Sequence, residues 1–220
     1  MEFLPVYVYF IAISFLVSCS IYTGQKNTPL YLKPFPPYLF LTLAAESLGS
    51  YFYSIQRNNL ALYNFFTVFE FCFYLWVLSL IVSNGRMKIV FRITAVMYAI
   101  AAVINIIYIQ KMAAFHTVTY AIGCLLIVIA CVYYFFELFR NTGAVRLVNT
   151  PAFWVCSGLL FFYCCGFPLY GLTNFISGIS KMIIVNFMAI ITILNIFLYS
   201  LFTIAFLCRP KTKKYFSLPS

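Results

Sequence analysis

Seven runs of mostly apolar residues occupy nearly all of this 220-residue chain. Each run reaches the length of about 20 residues with which a helix crosses the hydrocarbon core of a bilayer. With 65% hydrophobic and 8% charged residues, the chain cannot leave that much apolar surface in water. The sequence therefore predicts an all-α, polytopic membrane protein with seven transmembrane helices in a single bundle over residues 1–220. The predicted helices cover residues 3–22, 35–55, 60–83, 89–109, 112–139, 152–172 and 182–208.

Lysine and arginine are distributed unevenly among the connections between these helices. Short cytoplasmic loops of membrane proteins carry an excess of both residues. With the N-terminus outside and the C-terminus in the cytoplasm, 11 basic residues fall on the cytoplasmic side and 3 fall outside. This division supports the helix count and the orientation together. The cytoplasmic set is Lys26, Lys33, Arg86, Lys88, Arg92, Arg140, Arg146, Arg209, Lys211, Lys213 and Lys214, and the outer set is Arg57, Lys111 and Lys181.

Polar residues recur along one face of several predicted helices. Positions three, four and seven residues apart share a helix face, and polar groups in hydrocarbon must find partners. These polar faces should therefore point into the bundle and line a polar cavity. The residues that we expect to bind a ligand or to couple protons there are Glu46, Asn64, Glu70, Tyr74, Asn105, Tyr163, Asn195 and Tyr199.

Two glutamates, Glu46 in the second helix and Glu70 in the third, are the most informative residues of this set. Both fall near the middle of their helices, and hence near the midplane of a hydrocarbon core about 30 Å thick. A charge at that depth costs roughly 3 kcal/mol, and no Lys or Arg lies there to neutralise it. Each carboxyl group is therefore expected to be protonated, or hydrated in a water-filled cavity. A simpler interpretation stays open, in which each is a neutral hydrogen-bonding strut between helices.

The other ionisable and sulfur-containing residues give weaker signals. Glu137 lies three residues before Arg140 at a helix end, which predicts an ion pair. His116, the one histidine, is expected near the outer surface in an interfacial role. Because no CxxC pair occurs and the eight cysteines lie within helices or at their cytoplasmic ends, we predict no metal site, no cofactor and no disulfide framework.

Several functional classes are disfavoured by what the sequence lacks. No Walker A, GxSxG, HExxH or protein-kinase motif occurs. A retinal protein would need a lysine in the middle of the last helix, and Lys181 lies at its edge. The net charge of +10 follows mostly from topology, so nucleic acid is not an expected partner. No catalytic residue is assigned.

The stretches "LYNFFTVFEFCFY", "PAFWVCSGLLFFY" and "ILNIFLYSLFTIAFLC" resemble uncharacterised small seven-helix integral membrane proteins of Bacteroidota. That resemblance implies a bacterial inner membrane and brings no established activity. The Lys33-Pro34 pair ahead of an acid-bearing helix is faintly similar to YhhN-type lysoplasmalogenases. That similarity would make Glu46 and Glu70 the acid and base of vinyl-ether hydrolysis. The family has eight spans and uses aspartate, which this chain lacks.

The sequence thus predicts a protein whose intramembrane cavity binds or moves a small ligand, as a transporter or a receptor-like sensor. Its expected partners are the lipid bilayer and a small molecule. Two alternatives stay open. One is a signalling accessory that acts on a membrane or cytoplasmic partner through the basic cytoplasmic face, and the other is an intramembrane lipid hydrolase that uses Glu46 and Glu70. A role without enzymatic activity is favoured.

Overall fold

The computed structural model describes residues 4–24, 28–109, 115–140, 147–173 and 181–208, and its architecture is helical throughout those ranges. Seven α-helices follow the seven predicted runs closely, which confirms the all-α prediction. Short 3-10 turns at Leu30–Leu32 and Leu147–Asn149 precede α2 and α6, and a π-helical turn at Asn105–Ile109 extends α4. The helices are α1 Val6–Gly24, α2 Phe35–Ser54, α3 Leu60–Ile81, α4 Gly85–Ile104, α5 Thr117–Arg140, α6 Pro151–Thr173 and α7 Lys181–Leu207.

Five of these helices are long and apolar enough to cross a membrane, as judged by length and composition over the described residues. The qualifying stretches are Leu60–Ile81, Gly85–Ile109, Thr117–Arg140, Pro151–Leu169 and Asn186–Leu207. A shorter apolar stretch, Val6–Tyr22, lies in α1. Five such helices in one small chain indicate a membrane protein.

Local sequence explains where several helices begin. Prolines occupy the first turn of α2, where the missing N–H donor costs nothing. At the start of α4, the Asn84 side chain accepts a hydrogen bond from the backbone N–H of Arg86 at 2.9 Å, so this helix begins four residues before its predicted start.

Glu137 has a structural role that the sequence did not predict. Its two carboxylate oxygens accept the backbone N–H groups of Ser83 and Asn84, each at 2.9 Å. The expected partner was Arg140. Glu137 instead ties the end of α5 to the α3–α4 connection, where orphan backbone donors at a helix start need an acceptor.

The helices pack in a closed order, with α1 against α2 and α7, α7 against α6, and α6 against α5. The third helix packs against α4 and α5 and also contacts α2. The Phe71 ring on α3 lies 5.2 to 5.4 Å from the ring centroids of Tyr98, Tyr120 and Tyr163, which belong to α4, α5 and α6. Because α3 contacts so many neighbours, side chains on it can join several helices.

A glycine lets α5 approach this central ring. A Cβ added at Gly123 would lie 2.9 Å from three atoms of the Phe71 ring, which is closer than side chains pack. Phe71 is fully buried between its neighbours, so the ring has little room to move away. The small residue therefore sets the distance between α3 and α5.

We expect Gly123→Ala to destabilise the bundle by about 1 to 3 kcal/mol, the usual cost of overpacking a well-packed core. Gly166→Ala in α6 is the matched control, because its added Cβ meets no atom within 4 Å. Thermal unfolding of the purified protein in detergent micelles should show a lower Tm for Gly123→Ala alone. Equal Tm values for the two variants would contradict the packing described for α3 and α5.

Candidate functional site

Glu46 on α2 is hydrogen-bonded by tyrosines from two other helices. Tyr7 of α1 donates to its Oε2 atom at 2.8 Å, and Tyr63 of α3 donates to the same oxygen at 3.2 Å. The Glu46 side chain is half-buried. One carboxyl oxygen thus joins three helices, and the side chain keeps accessible surface.

Glu70 on α3 has its own tyrosine partners. Tyr38 of α2 donates to its Oε1 atom at 3.1 Å. The hydroxyl oxygens of Tyr38 and Tyr74 lie 2.8 Å apart. Because each hydroxyl carries one proton, Tyr74 donates to Tyr38 when Tyr38 donates to Glu70. Both tyrosines are fully buried, whereas the Glu70 side chain is half-buried.

The two carboxyl groups occupy successive levels of one polar cluster. Tyr63, the partner of Glu46, and Glu70 are seven residues apart on α3, which is about two helical turns. Tyr38, the partner of Glu70, and Glu46 are eight residues apart on α2, again about two turns. These crossed pairings show that α2 and α3 run antiparallel, with Glu46 and Glu70 at different depths along the pair.

Tyrosines of α6 and α7 complete the cluster. Tyr199 of α7 lies near both glutamates as well as Tyr7 and Tyr74. Tyr163 of α6 lies near Glu70 and is fully buried. We call the set of Tyr7, Tyr38, Glu46, Tyr63, Glu70, Tyr74, Tyr163 and Tyr199 the glutamate–tyrosine cluster.

The glutamate–tyrosine cluster contains two acidic side chains and no basic side chain. Within the part of the chain that the structure describes, the groups that act on Glu46 are Tyr7 and Tyr63. Glu70 is acted on by three tyrosines and by Glu46, so the two carboxyl groups influence each other electrostatically. Without a basic side chain beside them, the carboxyl groups can be neutralised by protons or by a positively charged ligand.

Three of the residues expected at the site have other hydrogen-bond partners. Asn195 donates to the carbonyl of Ile191 on its own helix at 2.9 Å. Asn64 and Asn105 instead belong to a buried cluster around His116. Of the predicted site residues, the structure therefore brings together Glu46, Glu70, Tyr74, Tyr163 and Tyr199.

His116 lies at the centre of this second polar cluster, one residue before α5, and it is fully buried rather than exposed at an interface as expected. Its Nε2 atom lies 2.6 Å from Thr67 Oγ1, and its Nδ1 atom lies 2.7 Å from Thr119 Oγ1. The Asn64 side chain accepts its backbone N–H at 3.3 Å, and Asn105 donates to Thr119 at 3.2 Å.

The hydrogen bonds around His116 form a consistent chain for a neutral imidazole. Thr67 donates to the carbonyl of Tyr63 at 2.7 Å, so it accepts from Nε2–H. In the neutral imidazole, Thr119 donates to Nδ1 at 2.7 Å in preference to the His116 carbonyl at 3.2 Å, and it accepts from Asn105. Burial lowers the pKa of His116 to about 4, which leaves the imidazole uncharged at neutral pH. This cluster is a structural tie between α3, α4 and α5.

Sequence reasoning missed Tyr7, Tyr38 and Tyr63, which supply the hydrogen bonds to the two glutamates. Tyr38 is two turns before Glu46, and Tyr63 is two turns before Glu70, so helical spacing placed both near the correct face. The signal was weak because the chain contains 18 tyrosines.

Gly49 enables one of these hydrogen bonds. A Cβ at this position would overlap the Tyr63 hydroxyl group and lie 2.7 Å from the Tyr63 Cζ atom. Gly49 is nearly one turn after Glu46, so the absence of a side chain there lets the Tyr63 ring cross α2 and reach the carboxyl group.

We expect Gly49→Ala and Tyr63→Phe to be coupled, because both remove the hydrogen bond from Tyr63 to Glu46. Each single change should cost about 0.5 to 1.5 kcal/mol, and the double variant should cost clearly less than the sum of the two. Thermal unfolding of the native chain, the two single variants and the double variant measures the free energies of unfolding that this comparison needs. Tyr108→Phe, at a residue 76% exposed at the end of α4, is the control and should combine additively with Gly49→Ala. Additivity in both cycles would exclude the contact.

We expect Thr67→Val to destabilise the bundle by about 1 to 3 kcal/mol, because it leaves a buried His116 nitrogen without its partner. Thr192→Val is the matched control. Among the described residues, Thr192 hydrogen-bonds the Met188 carbonyl of its own helix, at 2.9 Å. Its replacement should change the free energy of unfolding by about 0.5 kcal/mol or less. Equal losses in the two variants would show that the Thr67–His116 contact contributes nothing.

Comparison of this chain with known proteins found no relative. No protein-family model matches the chain, and neither the curated proteins nor the solved structures gave a match. No match therefore supports the resemblance to YhhN-type lysoplasmalogenases or to the Bacteroidota proteins. The function has to be argued from the glutamate–tyrosine cluster itself.

Proposed function

We propose that this chain is a multi-pass membrane protein whose glutamate–tyrosine cluster binds a small ligand inside the bundle, as a transporter or a receptor-like sensor. The observation that carries the proposal is the meeting of two half-buried glutamates with tyrosines from five helices. Unpaired intramembrane carboxyl groups are costly, and they typically mark ligand or proton sites.

The proposal includes seven membrane spans, with the N-terminus outside and the C-terminus in the cytoplasm of a bacterial inner membrane. Five helices meet the length and hydropathy needed for a span. The other two, α1 and α2, carry Tyr7 and Glu46, which bond to each other, and α2 runs antiparallel to the apolar α3. The uneven distribution of Lys and Arg supports the orientation.

Partial exposure favours a binding site over a pair of structural struts. A strut in a dry helix contact would be expected to be buried completely, with its polar atoms satisfied by neighbours. Glu46 and Glu70 each keep accessible surface.

The arrangement also favours binding over lipid hydrolysis. An acid–base pair has to act on the same scissile bond. Glu46 and Glu70 have separate tyrosine partners, and the pairing of Tyr63 with Glu46 and of Tyr38 with Glu70 offsets the two glutamates by about two helical turns in register along α2 and α3. Because the cluster includes side chains from α1, α2, α3, α6 and α7, a bound ligand would contact several helices at once. This suits a change in helix packing, which transport and sensing both require.

We expect at least one compound to stabilise the native chain without stabilising the Glu46→Gln or Glu70→Gln variant. The compounds to be tested are a broad panel of small amines, amino acids, sugars and carboxylates. A ligand at about 100 times its Kd stabilises the folded state by about 2.7 kcal/mol, which raises Tm by several degrees in thermal unfolding of the purified protein.

The control is Glu137→Gln, which removes the same charge from a carboxyl group that binds backbone N–H groups at the end of α5. It should keep the ligand response. The proposal is wrong if every stabilising compound acts equally on all four proteins, or if none stabilises the native chain.

A further inference from the structure

Arg92 lies on the second turn of α4, where its guanidinium group is held against α3. Its Nε–H donates to Ser79 Oγ at 3.3 Å, and the Ser79 hydroxyl donates to the Trp76 carbonyl at 2.6 Å. Ser79 is fully buried, whereas the Arg92 side chain is exposed. The protein therefore fixes one edge of the guanidinium group. The two terminal nitrogens have no acceptor among the described residues and keep their donors for another molecule.

Two further side chains lie beside Arg92 along the line where α3 packs against α4. The Cys72 thiol of α3 donates to the Ala95 carbonyl of α4 at 3.5 Å, about one turn further along α4. Trp76 follows Cys72 by four residues and Lys88 precedes Ala95 by seven, so each lies on the face of its helix that meets the other helix. The α3–α4 basic site, as we call this set, consists of Trp76, Ser79, Lys88 and Arg92.

Exposed apolar side chains continue from the α3–α4 basic site along α4. Ile93 and Val96, which follow Arg92, are 58% and 60% exposed, and the Trp76 side chain on α3 is 42% exposed. Tryptophan is enriched where the headgroups of a bilayer meet its hydrocarbon core. Basic donors at a helix end beside an exposed apolar surface match a phospholipid, whose charged headgroup lies above its acyl chains.

The positive charges of this site have no counter-charge in the described chain. Glu46 and Glu70 accept hydrogen bonds from tyrosines, and Glu137 accepts the backbone N–H groups of the α3–α4 connection. Among the described residues, no carboxylate therefore pairs with Lys88 or Arg92. Two cations one helical turn apart, without an anion from the protein, attract an anion from outside the chain.

We propose that the α3–α4 basic site binds the headgroup of an anionic phospholipid. The terminal nitrogens of Arg92 donate to the phosphate oxygens in the forked geometry that suits phosphate, and the Lys88 ammonium group adds a second positive charge. Ser79 is a positioning residue, and the Trp76 ring packs where the headgroup joins the acyl chains. No residue of the glutamate–tyrosine cluster takes part, so this inference is independent of the proposed ligand function.

The test uses Trp76 to report which lipid lies beside it. The chain contains two tryptophans, so Trp154→Phe leaves Trp76 as the only one. The full chain is placed in nanodiscs with equal amounts of phosphatidylglycerol and phosphatidylcholine. In turn, one of the two lipids carries brominated acyl chains, which quench tryptophan fluorescence on contact. We expect phosphatidylglycerol to be preferred beside Trp76 by about fivefold or more, because each basic residue near an anionic lipid contributes about that factor.

Variants that remove one charge from α4 give a matched comparison. Arg92→Gln and Lys88→Gln should each lower the preference by about threefold to fivefold. Arg86→Gln removes the same charge from an exposed residue on the first turn of the same helix. Arg86 precedes Ala95 by nine residues, or about two and a half turns, so it lies on the opposite side of α4, and its replacement should leave the preference unchanged. All variants should keep the same Tm in phosphatidylcholine alone.

The inference is overturned if the two lipids quench Trp76 equally in the chain without substitutions on α4. It is also overturned if Arg86→Gln lowers the preference as much as Arg92→Gln and Lys88→Gln do, since a basic helix end would then attract anionic lipid without a defined site. Inorganic phosphate should compete no better than sodium chloride at the same ionic strength. If phosphate alone abolishes the preference, the site binds a free anion and the lipid is wrong.

Discussion

The hydrogen bonds from tyrosine hydroxyl groups to two carboxyl groups are the interactions on which the interior of this bundle depends. In hydrocarbon, a carboxyl group without partners costs several kcal/mol, so its donors must come from neighbouring helices. Tyr7 and Tyr63 meet Glu46 at 2.8 and 3.2 Å, and Tyr38 meets Glu70 at 3.1 Å. Because each bond joins different helices, the same contacts that satisfy the carboxyl groups fix how α1, α2 and α3 lie beside one another.

The third helix links this cluster to the rest of the molecule. One side of α3 carries Tyr63 and Glu70 toward α2, whereas Thr67 contacts His116 at the start of α5. Phe71 fills the space between α4, α5 and α6. Thr67 also donates to the Tyr63 carbonyl at 2.7 Å, so the two polar clusters share backbone on the same helix. A change in the position of α3 would therefore alter the hydrogen bonds of both clusters.

The sequence predicted the helices well and the site only in part. Apolar runs gave seven helices with similar bounds because hydropathy and length are local properties. Helical spacing identified the faces that carry Glu46, Glu70, Tyr74 and Tyr199, but spacing does not reveal which helices are neighbours. Asn64 and Asn105 were therefore grouped with the glutamates, although they pack around His116. The roles of Tyr38 and Gly49 depend on the approach of α2 and α3, which no single helix encodes.

The central claim is that Glu46 and Glu70 form a site that responds to its surroundings and are not sealed struts. Infrared spectroscopy of the chain in nanodiscs tests it most directly, with the carboxyl bands assigned by their loss in Glu46→Gln and Glu70→Gln. As the medium is changed from acidic to alkaline, we predict that both bands convert from the protonated to the ionised form, and that bands of protonated groups shift in heavy water. Bands that respond to neither change would show a dry, sealed pair and would contradict the account.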